Sequence, residues 1–476
     1  MLRVVETEYG TVKGIEAADP RITAFKGIPF AAPPVGKNRW RAPQPASKWE
    51  GVRECYRFAP ISVQDTPGLG TDIYCREWHV DPDIEMSEDC LYLNVWTPAK
   101  KADEKLPVVV WFFGGALQWG YPSEMEFDGE RVARRGIVVV SVNYRVAAMG
   151  FMTHPQIIQE QPDFPANFGN LDQQYGLQWV SRNIAAFGGD PSNVTIAGQS
   201  AGGGSVLSQI AYAGNKGLFS KAIVQSGIIR FINGISPLGH PDTLEEAAGK
   251  GEEFFKILGV STLEEARELD AMYIRDKYAE YCGNDFSPAG MIKRFMTVKD
   301  DRFCFGDPYD AIVAGKCNNV PIMAGNTTDE FRFFETSDKY GDLSPLEWAI
   351  KKMAVDRKNN GIDLPLYYYR FDADIPGWDD PGTFHSVELW FFFETLAKCW
   401  RPFVGRHYDL ARQMCNYWSN FVKTGDPNGN DADGTPMPVW SPYKKGSECD
   451  MIFGKRGAEV VNKTTEEGAL KELLYG

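Results

Sequence analysis

The stretch from Phe187 to Val206, which reads FGGDPSNVTIAGQSAGGGSV, decides the fold of this chain. Within it, Val194–Ala197 is a short β-branched run that predicts a buried strand. The residues Ala201–Ala211 predict a helix that packs closely through its glycines. The sequence therefore predicts a strand that turns into a helix at a single residue, Ser200.

Such an abrupt turn forces an unfavourable backbone conformation on the residue at the bend. Gly198 and Gly202 flank Ser200 in the pattern G-x-S-x-G and remove side chains that would collide across the bend. The hydroxyl group of Ser200 is then exposed above the sheet, where it can act as a nucleophile. An ordinary glycine-rich turn from strand to helix is the alternative interpretation, because the bare pattern is common.

Further apolar runs predict the rest of the sheet. They lack polar alternation, which is typical of strands buried on both faces of a mostly parallel sheet. Helical spacing is seen over Leu171–Ala186. Alternating strands and helices indicate an α/β fold. The predicted strands are Val108–Phe113, Ile137–Val142, Lys221–Val224 and Val320–Ala324.

The chain reads as one domain over residues 1–476. No internal repeat, low-complexity tract or long linker divides it. Between about 233 and 310 the pattern becomes helical and charged, which predicts a helical insertion beside the sheet. A second insertion is expected at about 333–380.

Composition excludes several classes of function. The 476 residues are 43% hydrophobic and carry a net charge of −14, so binding to nucleic acid or to an anionic membrane is not expected. The first residues, MLRVVETEYGTVKG, do not resemble a secretory signal. Nine scattered cysteines without a C-x-x-C pair then favour reduced thiols and a cytoplasmic location.

A serine nucleophile needs a base, and the base needs an acid that orients it. In enzymes with this type of turn the chain order is nucleophile, acid, histidine, which favours His385 over the other histidines. The acid should follow the strand that ends at Ala324, where both Asp329 and Glu330 qualify. The other histidines, which we expect in structural or charged settings, are His79, His154, His240 and His407.

The developing negative charge on a substrate carbonyl needs backbone N–H donors. Gly114-Gly115-Ala116 follows the strand ending at Phe113, and its small residues let the backbone approach a substrate. Ala201, the residue after the nucleophile, offers a further N–H group. A simple glycine turn that closes a strand is the alternative.

Motifs along the whole chain resemble the type-B carboxylesterase family, which includes bacterial p-nitrobenzyl-type esterases, fungal lipases and cholinesterases. Their number and order make a chance match very unlikely. The motifs are Phe25–Gly36, Ser87–Trp96, Gly114–Ala116, Asn143–Arg145, Asn167–Gln173, Phe187–Gly203, Gln225–Gly227, Tyr417–Phe421 and Thr424–Asn428.

The resemblance implies an α/β-hydrolase fold and a triad of Ser200, Glu330 and His385, and it thus selects Glu330 over Asp329. It places a second serine, Ser226, beside the triad. The oxyanion donors it implies are Gly115, Ala116 and Ala201. It also implies two structural ion pairs, Arg39 with Glu88 and Arg145 with Asp172.

The sequence departs from the family pattern at three positions. Phe113 stands where many relatives have histidine or tyrosine, and Ala116 replaces the third glycine of the commoner triplet. Ser62 occupies the place of a cysteine that pairs with the one at Cys90, and Cys75 is the nearest substitute partner. We therefore expect Cys90 to be a free thiol.

The expected reaction is transfer of an acyl group to water, without a metal or cofactor, by a monomer or weak homodimer. We expect short-chain or aryl esters as substrates; a feruloyl or hydroxycinnamoyl esterase, a lipase and a non-catalytic binding module are the alternatives. The segment Gln64–Glu88 is a candidate lid, too charged to enter an oil surface. Arg230 is either a rim residue paired with a carboxylate or an anchor for an anionic substrate. The predicted pocket wall comprises Leu117, Trp119, Ile229, Arg230 and Phe231.

Overall fold

Strands and helices alternate along most of the chain. The structure is a computed structural model that describes residues 1–230, 241–283, 291–331 and 343–475. The strands are β1 Val4–Thr7, β2 Gly10–Lys13, β3 Ile15–Glu16, β4 Thr23–Pro29, β5 Val52–Glu54, β6 Tyr92–Thr97, β7 Leu106–Phe112, β8 Val138–Val142, β9 Gly189–Gln199, β10 Lys221–Gln225, β11 Asp242–Thr243, β12 Val298–Lys299, β13 Ile322–Thr327, β14 Leu366–Asp372, β15 Glu448–Gly454 and β16 Gly457–Lys463.

The α-helices of the described residues vary from single turns to five turns. They are α1 Tyr74–Glu77, α2 Glu130–Ala133, α3 Ala147–Phe151, α4 Pro155–Glu160, α5 Phe168–Asn183, α6 Ala201–Ala211, α7 Leu244–Leu258, α8 Leu263–Glu268, α9 Ala271–Cys282, α10 Pro308–Val313, α11 Glu347–Asn359, α12 Leu389–Phe392, α13 Gly405–Thr424 and α14 Gly468–Tyr475.

One sheet of 11 strands runs through the protein in the order β16-β15-β14-β13-β10-β9-β7-β8-β6-β4-β3. From β15 to β8 all neighbouring strands are parallel. Antiparallel pairs occur only toward the two edges of this sheet. The carboxyl ends of the central parallel strands therefore meet at one edge, where α/β proteins place their sites.

Both faces of the sheet are buried, as the continuous apolar runs predict. Along β7, Val108 and Val110 pack in one hydrophobic cluster, and Val109 and Trp111 pack in another on the opposite face. The predicted strands agree with β7, β8, β9, β10 and β13 to within a few residues, and α6 spans the predicted Ala201–Ala211. The predicted helix Leu171–Ala186 corresponds to α5, which begins three residues earlier and ends at Asn183.

Helices α7, α8 and α9 lie in the region 233–310 that the sequence predicts as a helical insertion. A two-stranded parallel ladder of β11 and β12 joins the two ends of this region. The structure corrects the second predicted insertion, at about 333–380. Strand β14 pairs with β13 and β15 inside the main sheet, so an insertion cannot extend over Leu366–Asp372.

Two buried ion pairs occupy the positions that the resemblance implies. Arg39 binds the Glu88 carboxylate at 2.6 Å, and Arg145 binds Asp172 at 2.7 Å with both side chains almost fully buried. Cys90 is buried and free, as expected, and Cys75 is also a free thiol. No helix within the described ranges has the length and apolar character needed to cross a membrane.

Candidate active site

Ser200 lies between the last residue of β9 and the first residue of α6. Its backbone has φ 56° and ψ −125°, a conformation that is costly for a residue with a side chain. Its N–H group donates to the Gln225 carbonyl at 2.8 Å, which ties the bend to the neighbouring strand. A Cβ atom on Gly202 would come within 2.1 Å of the Phe112 carbonyl oxygen. A side chain at Gly202 would therefore collide with the end of β7, and a Cβ atom on Gly198 would come within 2.4 Å of the Gly202 carbonyl oxygen across the bend.

Glu330 and His385 approach the bend at Ser200 from the loops that follow β13 and β14, respectively. The His385 Nδ1 atom contacts Glu330 Oε2 directly. The other oxygen, Oε1, accepts hydrogen bonds from the Ser226 hydroxyl at 2.8 Å and from the Thr327 N–H at 2.8 Å. Glu330 is 3% exposed, so these donors stabilise a carboxylate that water hardly reaches.

The neighbouring acid, Asp329, has a different set of partners. Its Oδ2 atom accepts hydrogen bonds from the N–H and the hydroxyl of Thr383, both at 2.8 Å. Thr383 lies two residues before His385. Asp329 therefore fixes the loop that carries the histidine, whereas Glu330 contacts the imidazole itself.

Gln199 occupies the other side of the imidazole. Its amide nitrogen Nε2 lies 3.2 Å from Nε2 of His385. An amide nitrogen donates, so the histidine nitrogen accepts, and the ring proton resides on Nδ1 facing Glu330. Within the described ranges no hydrogen bond joins Ser200 to His385. Such bonds are often long in an unliganded enzyme and tighten when the substrate binds.

Glu388 is a further member of this cluster that the sequence reasoning missed. It is fully buried, and its Oε1 atom lies 3.5 Å from the Ser226 hydroxyl oxygen. Burial, and then the nearby charge of Glu330, raise the pKa of Glu388 well above its usual value. One signal was available, because Glu388 is the lone charge in the apolar run Val387–Phe393.

The loop after β7 packs against the bend at Ser200. A Cβ atom on Gly114 would come within 3.2 Å of the Ser200 Cβ atom. The N–H groups of Gly115 and Ala116 make no hydrogen bond to any described residue. Ala201 is the first residue of α6, so its N–H group has no acceptor within the helix. None of these three N–H groups has a backbone acceptor among the described residues.

The predicted pocket residues have different surroundings. Leu117 is buried in the hydrophobic core, and Ile229 packs against the second core cluster. The Trp119 indole N–H donates to Asp65 at 3.0 Å. Phe231 lies outside the described residues.

Arg230 binds two carboxylates at the start of α10. Its guanidinium lies 2.8 Å from Asp310 and 3.7 Å from Asp307. It also lies over the Tyr309 ring at 4.3 Å from the ring centre. These contacts favour the interpretation as a rim arginine paired with carboxylates over that of an anchor for an anionic substrate.

The other described histidines have structural contacts. His154 caps α4 by accepting the Gln156 N–H at 3.2 Å. His407 accepts the Val404 N–H at the start of α13 at 2.9 Å. His79 contacts the buried Glu124 at 3.1 Å. His240 lies outside the described residues.

The candidate lid is anchored to the protein by a buried ion pair. Glu77, in helix α1, binds Arg401 at 2.6 Å, and neither side chain is exposed. The adjacent Trp78 is buried and stacks on Phe384, with 6.4 Å between ring centres. Phe384 immediately precedes His385, so this segment packs directly onto the loop that carries the histidine.

Comparison with known proteins identifies the family of this chain. The model of the carboxylesterase family matches residues 2–344 and 343–468. The chain belongs to the carboxylesterase family. Para-nitrobenzyl esterase of Bacillus subtilis is 32% identical, with 99% of this chain and 98% of that protein covered. Cholinesterase of Mus musculus is 29% identical, with coverage of 92% and 81% respectively.

Solved structures of carboxylesterases resemble the whole chain. A structure of PNB esterase matches with a TM-score of 0.82 and 28% identity, and all of both chains is covered. A carboxylesterase from Geobacillus stearothermophilus matches with a TM-score of 0.76 and 29% identity over 97% of each chain. The α/β-hydrolase fold expected from the resemblance is therefore confirmed, and the chain is an esterase.

Proposed function

We propose that this carboxylesterase hydrolyses short-chain or aryl esters through an acyl-serine intermediate on Ser200. The observation that carries the proposal is the buried hydrogen-bonded chain from Ser226 through Glu330 to His385, beside a serine held at a strained bend. Backbone strain concentrates at functional sites because the surrounding structure must maintain it. A glycine turn with no catalytic role would not require that chain of side chains.

In the first half of the reaction, the Ser200 oxygen attacks the ester carbonyl while His385 Nε2 takes the hydroxyl proton. Gln199 must release that nitrogen at this point. Glu330 holds the imidazole and stabilises its positive form. The tetrahedral oxyanion binds the N–H groups of Gly115, Ala116 and Ala201. It collapses as His385 protonates the leaving alcohol, and the acyl group stays on Ser200.

In the second half, a water molecule replaces the alcohol. His385 takes one proton from the water as its oxygen attacks the acyl-serine carbonyl, and a second oxyanion forms in the same place. When this intermediate collapses, His385 returns the proton to the Ser200 oxygen. The products are the carboxylic acid and the free enzyme, and neither half of the reaction needs a metal or a cofactor.

Esters of about two to six acyl carbons, or esters with an aromatic group, are the proposed substrate class. The name of the relative from Bacillus subtilis, para-nitrobenzyl esterase, refers to an ester with an aromatic group. A lipase is the second candidate, but the anchoring of the lid by Glu77 and Arg401 argues against it, because interfacial lipases need a lid that moves. A feruloyl or hydroxycinnamoyl esterase is a further candidate, because its substrates belong to the proposed class of esters with an aromatic group.

A fluorophosphonate probe, which phosphonylates activated serines, tests the proposal directly. The wild-type protein should be labelled on Ser200, and Ser200→Ala should lose the label and about 10⁴- to 10⁶-fold in kcat while remaining folded. Labelling that persists in Ser200→Ala would refute the assignment. A protein with neither labelling nor hydrolysis of any ester would support the non-catalytic binding module.

A series of esters then identifies the substrate class. Rates on p-nitrophenyl esters of increasing acyl length, and on methyl ferulate, should be measured above and below the solubility limit. The highest rates should occur on short or aryl esters. A rate that rises through twelve carbons and increases when droplets form would favour a lipase instead.

We further propose that the protein acts in the cytoplasm as a monomer or weak homodimer. All nine cysteines lie within the described residues, and all are free thiols, which fits a reducing compartment. Light scattering during gel filtration should give a mass near 53.3 kDa at low concentration. A stable mass of twice that value or more across a dilution series would contradict this proposal.

A further inference from the structure

The backbone of residues 114–120, which we call the oxyanion loop, has an unusual conformation. Gly115, Ala116 and Leu117 have consecutive positive φ values of 103°, 55° and 61°. Glycine adopts such values freely, but in alanine and leucine the Cβ atom crowds the backbone at these angles and makes them unfavourable. The loop therefore needs contacts from its surroundings to keep this conformation.

One such contact comes from the helical insertion. The side chain of Gln118 accepts a hydrogen bond from the Tyr278 hydroxyl at 2.8 Å and donates one to the Phe295 carbonyl at 2.9 Å. The Tyr278 hydroxyl oxygen also accepts the Phe295 N–H at 2.8 Å. The three residues form a closed ring of hydrogen bonds, which we call the insertion clamp. Gln118 is 1% exposed and Tyr278 is 6% exposed.

The clamp is attached to a rigid part of the insertion. The rings of Tyr278 and Phe295 are stacked, with centres 5.1 Å apart and an angle of 13° between them. Phe254 packs against both rings edge-on. This packing fixes the position of the Tyr278 hydroxyl, so that Gln118 is held by an immobile partner.

Two other contacts hold the loop from the side of the main domain. Gln64 forms two hydrogen bonds with the backbone of Gly120, at 2.8 and 3.0 Å. The Leu117 carbonyl accepts the Ala147 N–H at 2.7 Å. Gln118 lies between these two attachment points in sequence, two residues after Ala116. The clamp is thus one contact through which the insertion acts on the loop, and the Arg294 guanidinium over the Trp119 ring, 5.1 Å from its centre, is another.

We propose that Tyr278, acting through Gln118, is a positioning residue that holds the N–H groups of Gly115 and Ala116 ready for the oxyanion. This inference rests on the oxyanion hole of the proposed function. It gives the helical insertion a role in the rate of the chemical step. Pre-organised donors stabilise a transition state because they do not have to reorient during the reaction.

The variant Tyr278→Phe removes one hydroxyl and keeps the ring stack. Loss of a whole oxyanion donor costs about 10²- to 10³-fold. A misaligned loop retains its donors, so we expect a smaller fall in kcat/KM, of about 10-fold. Tyr281→Phe is the matched control. Tyr281 lies on the same helix and packs on the same Phe295 ring, but its hydroxyl binds Glu253 at 3.2 Å. The control should keep wild-type kcat/KM.

A pair of inhibitors separates positioning from general damage. An aryl trifluoromethyl ketone adds to the serine as a hemiketal oxyanion, whereas the matching methyl ketone binds mainly unreacted. In Tyr278→Phe the inhibition constant of the trifluoromethyl ketone should rise by about the same 10-fold, and that of the methyl ketone should stay within about twofold. Every kcat/KM value is calculated per reactive serine, as titrated with the fluorophosphonate probe.

Gln118→Met provides a second route to the same answer if Tyr278→Phe does not fold. It removes the hydrogen bonds of the side chain to Tyr278, Phe295 and Met296 at nearly constant volume. It should also weaken binding of the trifluoromethyl ketone and leave binding of the methyl ketone unchanged. Equal inhibition constants in Tyr278→Phe, Tyr281→Phe and wild type would overturn the inference and leave the triad untouched. A wild-type protein that neither hydrolyses esters nor reacts with the probe would instead overturn the proposed function.

Discussion

Replacing Gln199 by glutamate should move the acid limb of the pH–rate profile of ester hydrolysis to higher pH. The Gln199 amide nitrogen lies 3.2 Å from His385 Nε2 and is buried beside it. A carboxylate at this place would favour the protonated imidazole, because opposite charges attract and a carboxylate can only accept a hydrogen bond. The base form of the histidine would then exist only at higher pH.

The size of the shift follows from the distance. Two unit charges 3.2 Å apart attract by about 5 kcal/mol at an effective dielectric constant of about 20, which is an upper limit. If the side chains relax to about 5 Å in a more polar environment with a dielectric constant of about 40, the attraction is about 1.7 kcal/mol. At about 1.36 kcal/mol per pKa unit, the acid limb of kcat/KM should therefore move up by at least about one pH unit and by less than about four.

The assay is kcat/KM for a soluble short-chain p-nitrophenyl ester between pH 5 and pH 9. Gln199→Met is the control, since it removes the hydrogen bond without adding charge, and its acid limb should stay near that of the wild type. If Gln199→Glu and Gln199→Met show the same limb, the group that titrates is not the histidine next to residue 199, and the reasoning fails.

Four further results are expected. Glu330→Gln should lower kcat by about 10³- to 10⁴-fold, whereas Asp329→Asn, which weakens the hydrogen bonds to the loop residue Thr383, should cost about 10-fold at most; the reverse order would reassign the acid. Glu388→Gln should keep kcat within about threefold. Burial and the charge of Glu330 raise the pKa of Glu388 in the folded protein, so between its unfolded and folded pKa the wild type loses unfolding free energy as the pH rises, by about 1.4 kcal/mol per pH unit at most, and the variant does not. Unfolding free energies from urea titrations that change equally with pH in the two proteins would contradict this. Esters of about two to six acyl carbons should be hydrolysed fastest, with no rise in rate at an oil surface. Arg230→Ala should change the rates on neutral and anionic esters by the same factor, and a selective loss on anionic esters would restore the role of anchor.

The sequence predicted the fold where local chemistry dominates. The β-branched runs of β7, β8 and β10 are buried on both faces and have no other stable environment. The bend at Ser200 was also predictable, because its two flanking glycines have a purely steric purpose. Strand β14 was missed because its run Leu366–Asp372, LYYYRFD, contains Arg370 and ends in Asp372, which interrupt the apolar pattern of a strand buried on both faces. Only its partners β13 and β15 identify it as a central strand.

The site was predictable to the extent that chain order constrains it. Order placed the acid at Asp329 or Glu330 but could not separate them, because the difference is which carboxylate faces His385 and which faces Thr383. Glu388 contacts Ser226 and Tyr278 contacts Gln118, and both partners are more than a hundred residues away in the sequence. A single sequence contains no record of such contacts.

The nine free thiols have a practical consequence for labelling this enzyme. Burial raises the pKa of Cys55, Cys304 and Cys317 to about 11 and that of Cys399 to about 12. At a pKa of about 11, roughly one thiol in 10⁴ is ionised at pH 7, and only the thiolate reacts with maleimides or iodoacetamide. A cysteine introduced on an exposed loop has an ordinary pKa and should react far ahead of these four thiols. A fluorophore or spin label can therefore be attached at one chosen position without first removing Cys55, Cys304, Cys317 or Cys399.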